Sequence, residues 1–188
     1  MKTLYFVTGN KGKFVEVQNK FSEINMKIVQ MDLGYPEIQA SSLEDVAIYG
    51  LNDVRKRFDK PFILEDAGLF IDGLNGFPGV YSSYVYHTVG CEGILRLMKD
   101  FEKNSDRRAV FRSVFAYSMP GEKPVLFVGE CPGFISKEIR GSYGFGYDPV
   151  FIPAGETRTF AEMSVEEKNS FSHRGRSLDK LINFFKNK

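Results

Sequence analysis

An α/β fold around a mixed sheet is predicted by three features of the chain. Residues 3–64 alternate short apolar runs with amphipathic helical stretches. Residues 109–152 are dominated by short aromatic and β-branched segments separated by Gly, Pro and Asp. The last stretch, from about Ser172, returns to helical spacing. Strand-helix alternation followed by a run of strands gives parallel pairing early in the chain and mixed pairing later.

Residues 3–7 read as a buried strand, and residues 11–22 as a helix with Phe14, Val17 and Phe21 on one face. Residues 26–33 form a second strand, ended by Gly34-Tyr35-Pro36-Glu37. Ser41 and Ser42 offer N-caps, with Glu44 and Asp45 in capping-box spacing. The helix after them carries Leu43, Val46, Ala47, Leu51, Val54 and Phe58 on one stripe. Residues 61–64 form a short apolar strand ending at Glu65-Asp66; residues 69–71 are extended, and 73–79 are a turn-rich loop. A helix is expected over 92–101, then strands over 109–119, 125–129, 134–138 and 150–152, with a bend at Pro132-Gly133. Ser164 caps a short helix through Glu167. The closing helix turns Leu178, Leu181, Ile182 and Phe185 inward.

The 188 residues fit one domain with ample core. Lys plus Arg (25) and Asp plus Glu (24) leave a net charge of +1, which argues against a protein living on nucleic-acid polymer. Two cysteines, Cys91 and Cys131, in no paired spacing exclude a disulfide framework and fit a reducing cytosol. With only two histidines, a zinc site is not expected. No signal peptide opens the chain, and no apolar run approaches the ~20 residues that span a bilayer.

Chemistry concentrates in a few segments. Thr8-Gly9-Asn10-Lys11-Gly12-Lys13 follows a strand and opens a helix, where unpaired N–H groups and the helix dipole favour an anion. It is not a Walker A loop, because Phe14 follows Gly12-Lys13. Glu65-Asp66 offers hard oxygen ligands suited to Mg²⁺, although adjacent strand residues point to opposite faces and only one serves. Glu37 is the candidate second carboxylate. Gly144-Phe145-Gly146-Tyr147-Asp148-Pro149 places aromatic faces, which stack on bases, beside a carboxylate. Lys168, His173 and Arg174 add donors for a keto oxygen or a phosphate.

In order and spacing these segments resemble the inosine triphosphate pyrophosphatase family, the XTP/dITP diphosphatases. Tyr35-Pro36-Glu37, Glu65-Asp66-Ala67-Gly68-Leu69, Gly76-Phe77-Pro78-Gly79-Val80-Tyr81, Phe160-Ala161-Glu162-Met163, Glu167-Lys168-Asn169 and Ser172-His173-Arg174 carry the resemblance along nearly the whole chain. It implies one bilobed domain over 1–188, elongated, with a mixed central sheet flanked by helices and an active-site cleft between the lobes. It implies Mg²⁺-dependent hydrolysis of ITP, dITP and XTP to the monophosphate and pyrophosphate, with at least one ion per site, usually by a cytoplasmic homodimer. Carried over by position, Thr8, Gly9, Asn10, Lys11, Gly12 and Lys13 hold the triphosphate. Glu37 and Asp66 bind the metal, and Asp66 is also the general base. Phe145 stacks on the base. Ala67, Gly146, Tyr147, Asp148, Lys168, His173 and Arg174 contact the substrate. One position departs: many members carry a lysine where Gly50 stands here.

Two other readings fit part of the pattern. A diphosphatase for modified pyrimidines would use the same aromatic faces, but donors to a 6-keto group favour purine. A nucleotide-sensing module would need no metal carboxylate, and Glu65-Asp66 argues against it.

Overall fold

The computed structural model describes residues 2–22, 24, 26–36 and 38–187. The chain opens with β1 (Lys2–Val7), α1 (Lys11–Phe21), β2 (Met26–Met31) and α2 (Leu43–Arg55). β3 (Phe62–Ile71), β4 (Pro78–Gly79) and α3 (Ser82–Leu97) follow. β5 (Arg108–Ser118), β6 (Val125–Ile135), β7 (Phe151–Pro153), α4 (Val165–Phe171) and α5 (His173–Lys186) complete the fold.

Among the described residues the sheet has seven strands in the order β2-β1-β3-β5-β6-β7, with β4 paired to β3. β1 runs parallel to β2 from Lys2↔Met26 to Val7↔Met31, and parallel to β3 from Tyr5↔Phe62 to Val7↔Leu64. Parallel neighbours need crossover connections, and α1 and α2 are those crossovers. β4 and β7 pair antiparallel with β3 and β6, so the sheet is mixed as expected.

Two expected pairs of strands are single strands. β3 does not stop at Glu65-Asp66 but continues to Ile71, because its second half finds a new partner in β4 at Leu69↔Gly79 and Phe70↔Pro78. β6 runs through Pro132-Gly133 without a break. The Pro132 carbonyl accepts from Ala154 N–H at 2.9 Å, and pairing to β7 begins at Gly133. α3 begins ten residues earlier than the expected 92, at Ser82, and is broken at Gly90 (φ 64°, ψ −167°), a conformation open to glycine and strained for other residues. The expected helix over 92–101 is its second limb.

The chain divides into two compact units, each of several segments. The first takes residues up to Asp66, Ser113–Gly129 and Arg174 onward; the second takes Ala67–Arg112 and Glu130–His173. The first has a core of Leu4, Phe6, Val17, Phe21, Ile63, Phe115, Leu178 and Leu181. The second packs Leu69, Ile94, Met98, Phe111, Val150, Phe151 and Phe160. Phenylalanine carries both cores, with Phe6 on Phe115 at 5.8 Å between centroids and Phe111 on Phe151 at 4.7 Å.

Candidate active site

In the first unit, β1 ends at Val7 and the next residues form a pinned turn. Thr8 N–H donates to the Met31 carbonyl at 2.9 Å, and Gln30 Nε2 donates to the Thr8 carbonyl at 3.0 Å. Asn10 N–H donates to Thr8 Oγ1 at 3.1 Å, and Asn10 Oδ1 caps α1 by accepting from Lys13 N–H at 2.9 Å. Helical geometry leaves the N–H groups of Lys11 and Gly12 without intrahelical acceptors. No acidic residue lies in the first turn of α1. Gly9, Asn10 and Lys11 are exposed, and Thr8, Gly12 and Lys13 are half-buried. The turn is therefore a helix N-terminus with cations beside it, an arrangement suited to an anion. A Cβ on Gly9 would lie 3.3 Å from the Asp32 carboxylate, a tight contact that the Asp32 side chain would have to yield to.

The two carboxylates of β3 have separate fates. The Glu65 side chain is fully buried. Its carboxylate accepts from Lys13 Nζ at 2.9 Å, Arg174 Nε at 2.9 Å, Arg174 Nη2 at 3.3 Å and Ser113 Oγ at 2.7 Å. Burial alone would raise its pKa. The charges of Arg174 and Lys13 and the hydrogen bonds from Lys13 and Ser113 overcome that and hold the carboxyl well below the ordinary range. Glu65 is thus fully occupied by protein cations. Asp66, half-buried and next along the strand, points to the other face. Ala67, also half-buried, opens the second unit.

Arg174 belongs to the same buried network. Its Nη1 donates to Glu16 Oε2 at 2.6 Å, and its side chain is 2% exposed. Burial lowers its pKa, but Glu65 and Glu16 outweigh it and raise the value above that of a free arginine. The fold therefore commits this guanidinium to two carboxylates of the first unit, whereas the other expected base contacts lie in the second.

There, Phe145, Gly146, Tyr147, Asp148, Lys168 and His173 converge. Asp148 Oδ2 accepts from Phe145 N–H at 2.9 Å and from Lys168 Nζ at 2.6 Å. The Lys168 side chain is 3% exposed, with its ammonium 5.1 Å from the centre of the Phe145 ring and 5.3 Å from that of Phe160. His173 stacks on Phe111 at 4.5 Å with ring planes 10° apart, and also meets Phe160. Gly144 makes this turn possible. Its φ is 74°, and a Cβ there would lie 2.1 Å from Asp148 Oδ2. Tyr147 is buried; its hydroxyl donates to the Ser82 carbonyl at 3.1 Å and its ring meets Tyr86 edge-on at 5.4 Å. The Cys91 thiol donates to the Gly146 carbonyl at 3.5 Å. Burial, then the charges of Asp148 and Glu92, push that thiol up to about 11. Tyr147 and Cys91 thus hold the loop onto α3 from behind, and Phe145 is its half-buried aromatic face.

Glu37 lies outside the described residues. Among the described residues no group of three or more His, Cys, Asp or Glu side chains could hold a metal alone. Asp66 is a hard oxygen donor of the kind Mg²⁺ takes, one or two carboxylates together with substrate phosphates.

Comparison with known proteins gives the family of this fold. The Ham1 family model matches residues 4–184. The chain belongs to the Ham1 family. It is 51% identical to the dITP/XTP pyrophosphatase of Pyrococcus horikoshii over 183 residues, covering 97% of this chain and 96% of that one. It is 49% identical to the dITP/XTP pyrophosphatase of Methanopyrus kandleri, covering 100% and 97%. A HAM1 protein from Coxiella burnetii superposes with a TM-score of 0.85 at 30% identity, over 100% of both chains. The Ham1 protein of Staphylococcus aureus gives 0.82 at 30% identity, over 99% of both.

Within this Ham1 chain, the glycine at position 50 has a local cause. A Cβ at Gly50 would fall 2.6 Å from the Tyr35 ring, so the ring occupies the space above the helix. Arg57, just past α2, donates to the Leu33 carbonyl at 2.7 Å and to the Gly34 carbonyl, which holds that strand exit on α2. The sequence alone assigns no role to Glu16, Ser113, Phe111, Phe160 or Ser82. Glu16 reads as an ordinary helix-surface charge, and only its burial to 3% reveals its role. Phe160 sits in a quoted motif, but no spacing rule puts it against Lys168.

Proposed function

We propose that the chain is a Mg²⁺-dependent diphosphatase that hydrolyses dITP, XTP and ITP to the monophosphate and pyrophosphate, works in a reducing cytoplasm, and acts as a homodimer. The names of its Ham1 relatives support the dITP/XTP part of this reading. The observation that carries it is the ammonium of Lys168, fixed between two aromatic rings by Asp148. It is a preset donor for the 6-keto oxygen shared by these bases. A 6-amino group, which donates, would leave that ammonium unmatched. Phe145 would stack on the ring. Both cysteines are free buried thiols, in keeping with a reducing compartment.

The triphosphate, with about four negative charges, would lie on the turn of Thr8, Gly9, Asn10, Lys11 and Gly12 with Lys13 beside it. Asp66 would take a proton from a water whose oxygen forms the new bond to the α-phosphorus, while the bond from that phosphorus to the bridging oxygen breaks and pyrophosphate leaves. Positive charge from Lys11 and the helix N-terminus would stabilise the leaving group. Bound at Asp66 with Glu37, Mg²⁺ would supply electrophilic stabilisation of the phosphate oxygens.

Pyrophosphate release from ITP, XTP, dITP, GTP and ATP, with and without Mg²⁺, tests the reading. Turnover of the first three, only with metal, is the expected result. Inorganic phosphate as sole product would move the cut to the γ-phosphate and overturn it. Asp66→Asn is expected to lose turnover by more than about 100-fold while retaining nucleotide affinity; loss of binding with intact turnover per bound nucleotide would remove Asp66 from the role of base.

A further inference from the structure

Lys13 lies in the first turn of α1, at the end of the phosphate-binding segment, and its ammonium makes two bonds to one residue. It meets Glu65 Oε2 at 2.9 Å and donates to the Glu65 main-chain carbonyl at 3.1 Å. That carbonyl lies in the planar peptide that joins Glu65 to Asp66. Holding it fixes the plane from which Asp66 departs. The other side of Glu65 is fixed by Arg174 Nε and Ser113 Oγ, and Ser113 Oγ lies 2.9 Å from Ser177 Oγ. Ser177 Oγ in turn donates to the Arg174 carbonyl at 3.0 Å. Elements α1, β3, β5 and α5 thus converge on one carboxylate.

Charge balance alone does not require the carbonyl bond. Lys13 and Arg174 face Glu65 and Glu16, two cations against two anions. The bond from Lys13 to the carbonyl adds geometry instead. It ties the helix that presents the phosphate turn to the peptide that carries the candidate base.

We propose that Lys13 and Glu65 form a strut that positions Asp66 against the phosphate turn before substrate arrives, so that Glu65 is a positioning residue for hydrolysis although its side chain is fully buried. This rests on the reading of Asp66 as general base. Its benefit is preorganisation: a displacement of about 1 Å between attacking water and phosphorus costs about 100-fold in rate.

The test combines Lys13→Met, Glu65→Gln and the double variant, with Mg²⁺ and dITP. Turnover is read by pyrophosphate release, and affinity by calorimetry with the α,β-methylene analogue of dITP. Glu65→Gln is expected to lower kcat by about 10–100-fold, with the analogue's Kd within about threefold of the parent. Lys13→Met lowers kcat and also weakens the analogue, and the double variant is no slower than Lys13→Met. Parental kcat in Glu65→Gln, or two losses that multiply in the double variant, would overturn the strut. If Glu65→Gln does not fold, the nucleotide-free Lys13→Met protein decides. The strut predicts a shifted Asp66 amide resonance and faster exchange of that amide, whereas a lysine that meets only phosphate leaves both unchanged. That readout involves no substrate, so it stands apart from any failure of the dITP assignment, which would show as absent turnover in the parent enzyme.

Discussion

At Lys168, burial turns a flexible cation into a fixed one. A buried ammonium is costly unless paired; at 3% exposure Asp148 at 2.6 Å compensates it, and two ring faces within 5.3 Å add cation–π attraction. Lys168→Met is expected to lower the preference for dITP over dATP by about 10–100-fold, the worth of one hydrogen bond to a charged group at roughly 1.5–3 kcal/mol. The measurement is the ratio of kcat/KM values. Stability falls too, by about 3–5 kcal/mol, because Asp148 is left buried without its cation. An unchanged ratio would remove Lys168 from base selection. The motif around Lys168 was readable in the sequence. Its partner rings were not, because Phe145 and Phe160 come from different loops.

At the scale of elements, α2 shows how a helix is shaped by what lies on it. Ser42 caps it by accepting from Asp45 N–H at 3.1 Å, as its sequence indicates. Gly50 in its middle costs helix propensity, about 1 kcal/mol relative to alanine. The Tyr35 ring fills the space in return. Gly50→Ala is therefore expected to destabilise by about 1–3 kcal/mol, since overpacking outweighs the propensity gained. Urea midpoints of Gly50→Ala and of Gly50→Ala with Tyr35→Ala decide it: the second change should recover part of the loss. β3 carries a related lesson. Its apolar first half was legible, but its continuation past Asp66 depends on β4, a two-residue strand that no local pattern announces.

For the molecule as a whole, the buried network of the first unit sets the response to acid. The folded Glu65 carboxyl is held below its unfolded value, so the folded state binds fewer protons there. Its contribution is complete above the ordinary carboxylate range and is lost as the pH falls below about 5. Urea midpoints at neutral and acid pH should show a decline that is shallower in Glu65→Gln; an equal decline would locate acid sensitivity elsewhere. A second prediction concerns association. Between Asp72 and Glu92 there is no Asp, Glu, Lys or Arg, yet Phe77, Tyr81, Tyr84 and Val89 are exposed. A segment of this composition would meet its own copy across a two-fold axis without like-charge repulsion. Sedimentation should give a dimer, and Tyr84→Lys should shift it towards monomer; a parent monomer would exclude it. The sequence by itself determined the α/β class, because strand and helix spacing is local, and the family, because its motifs recur in order along the chain. Only the tertiary structure decided that Glu65 serves Lys13 and Arg174 rather than a metal, and that Arg174 is committed to Glu16 and Glu65. Those outcomes depend on side chains brought together across 109 and 158 positions of chain, because a charge that the fold buries must be paired there.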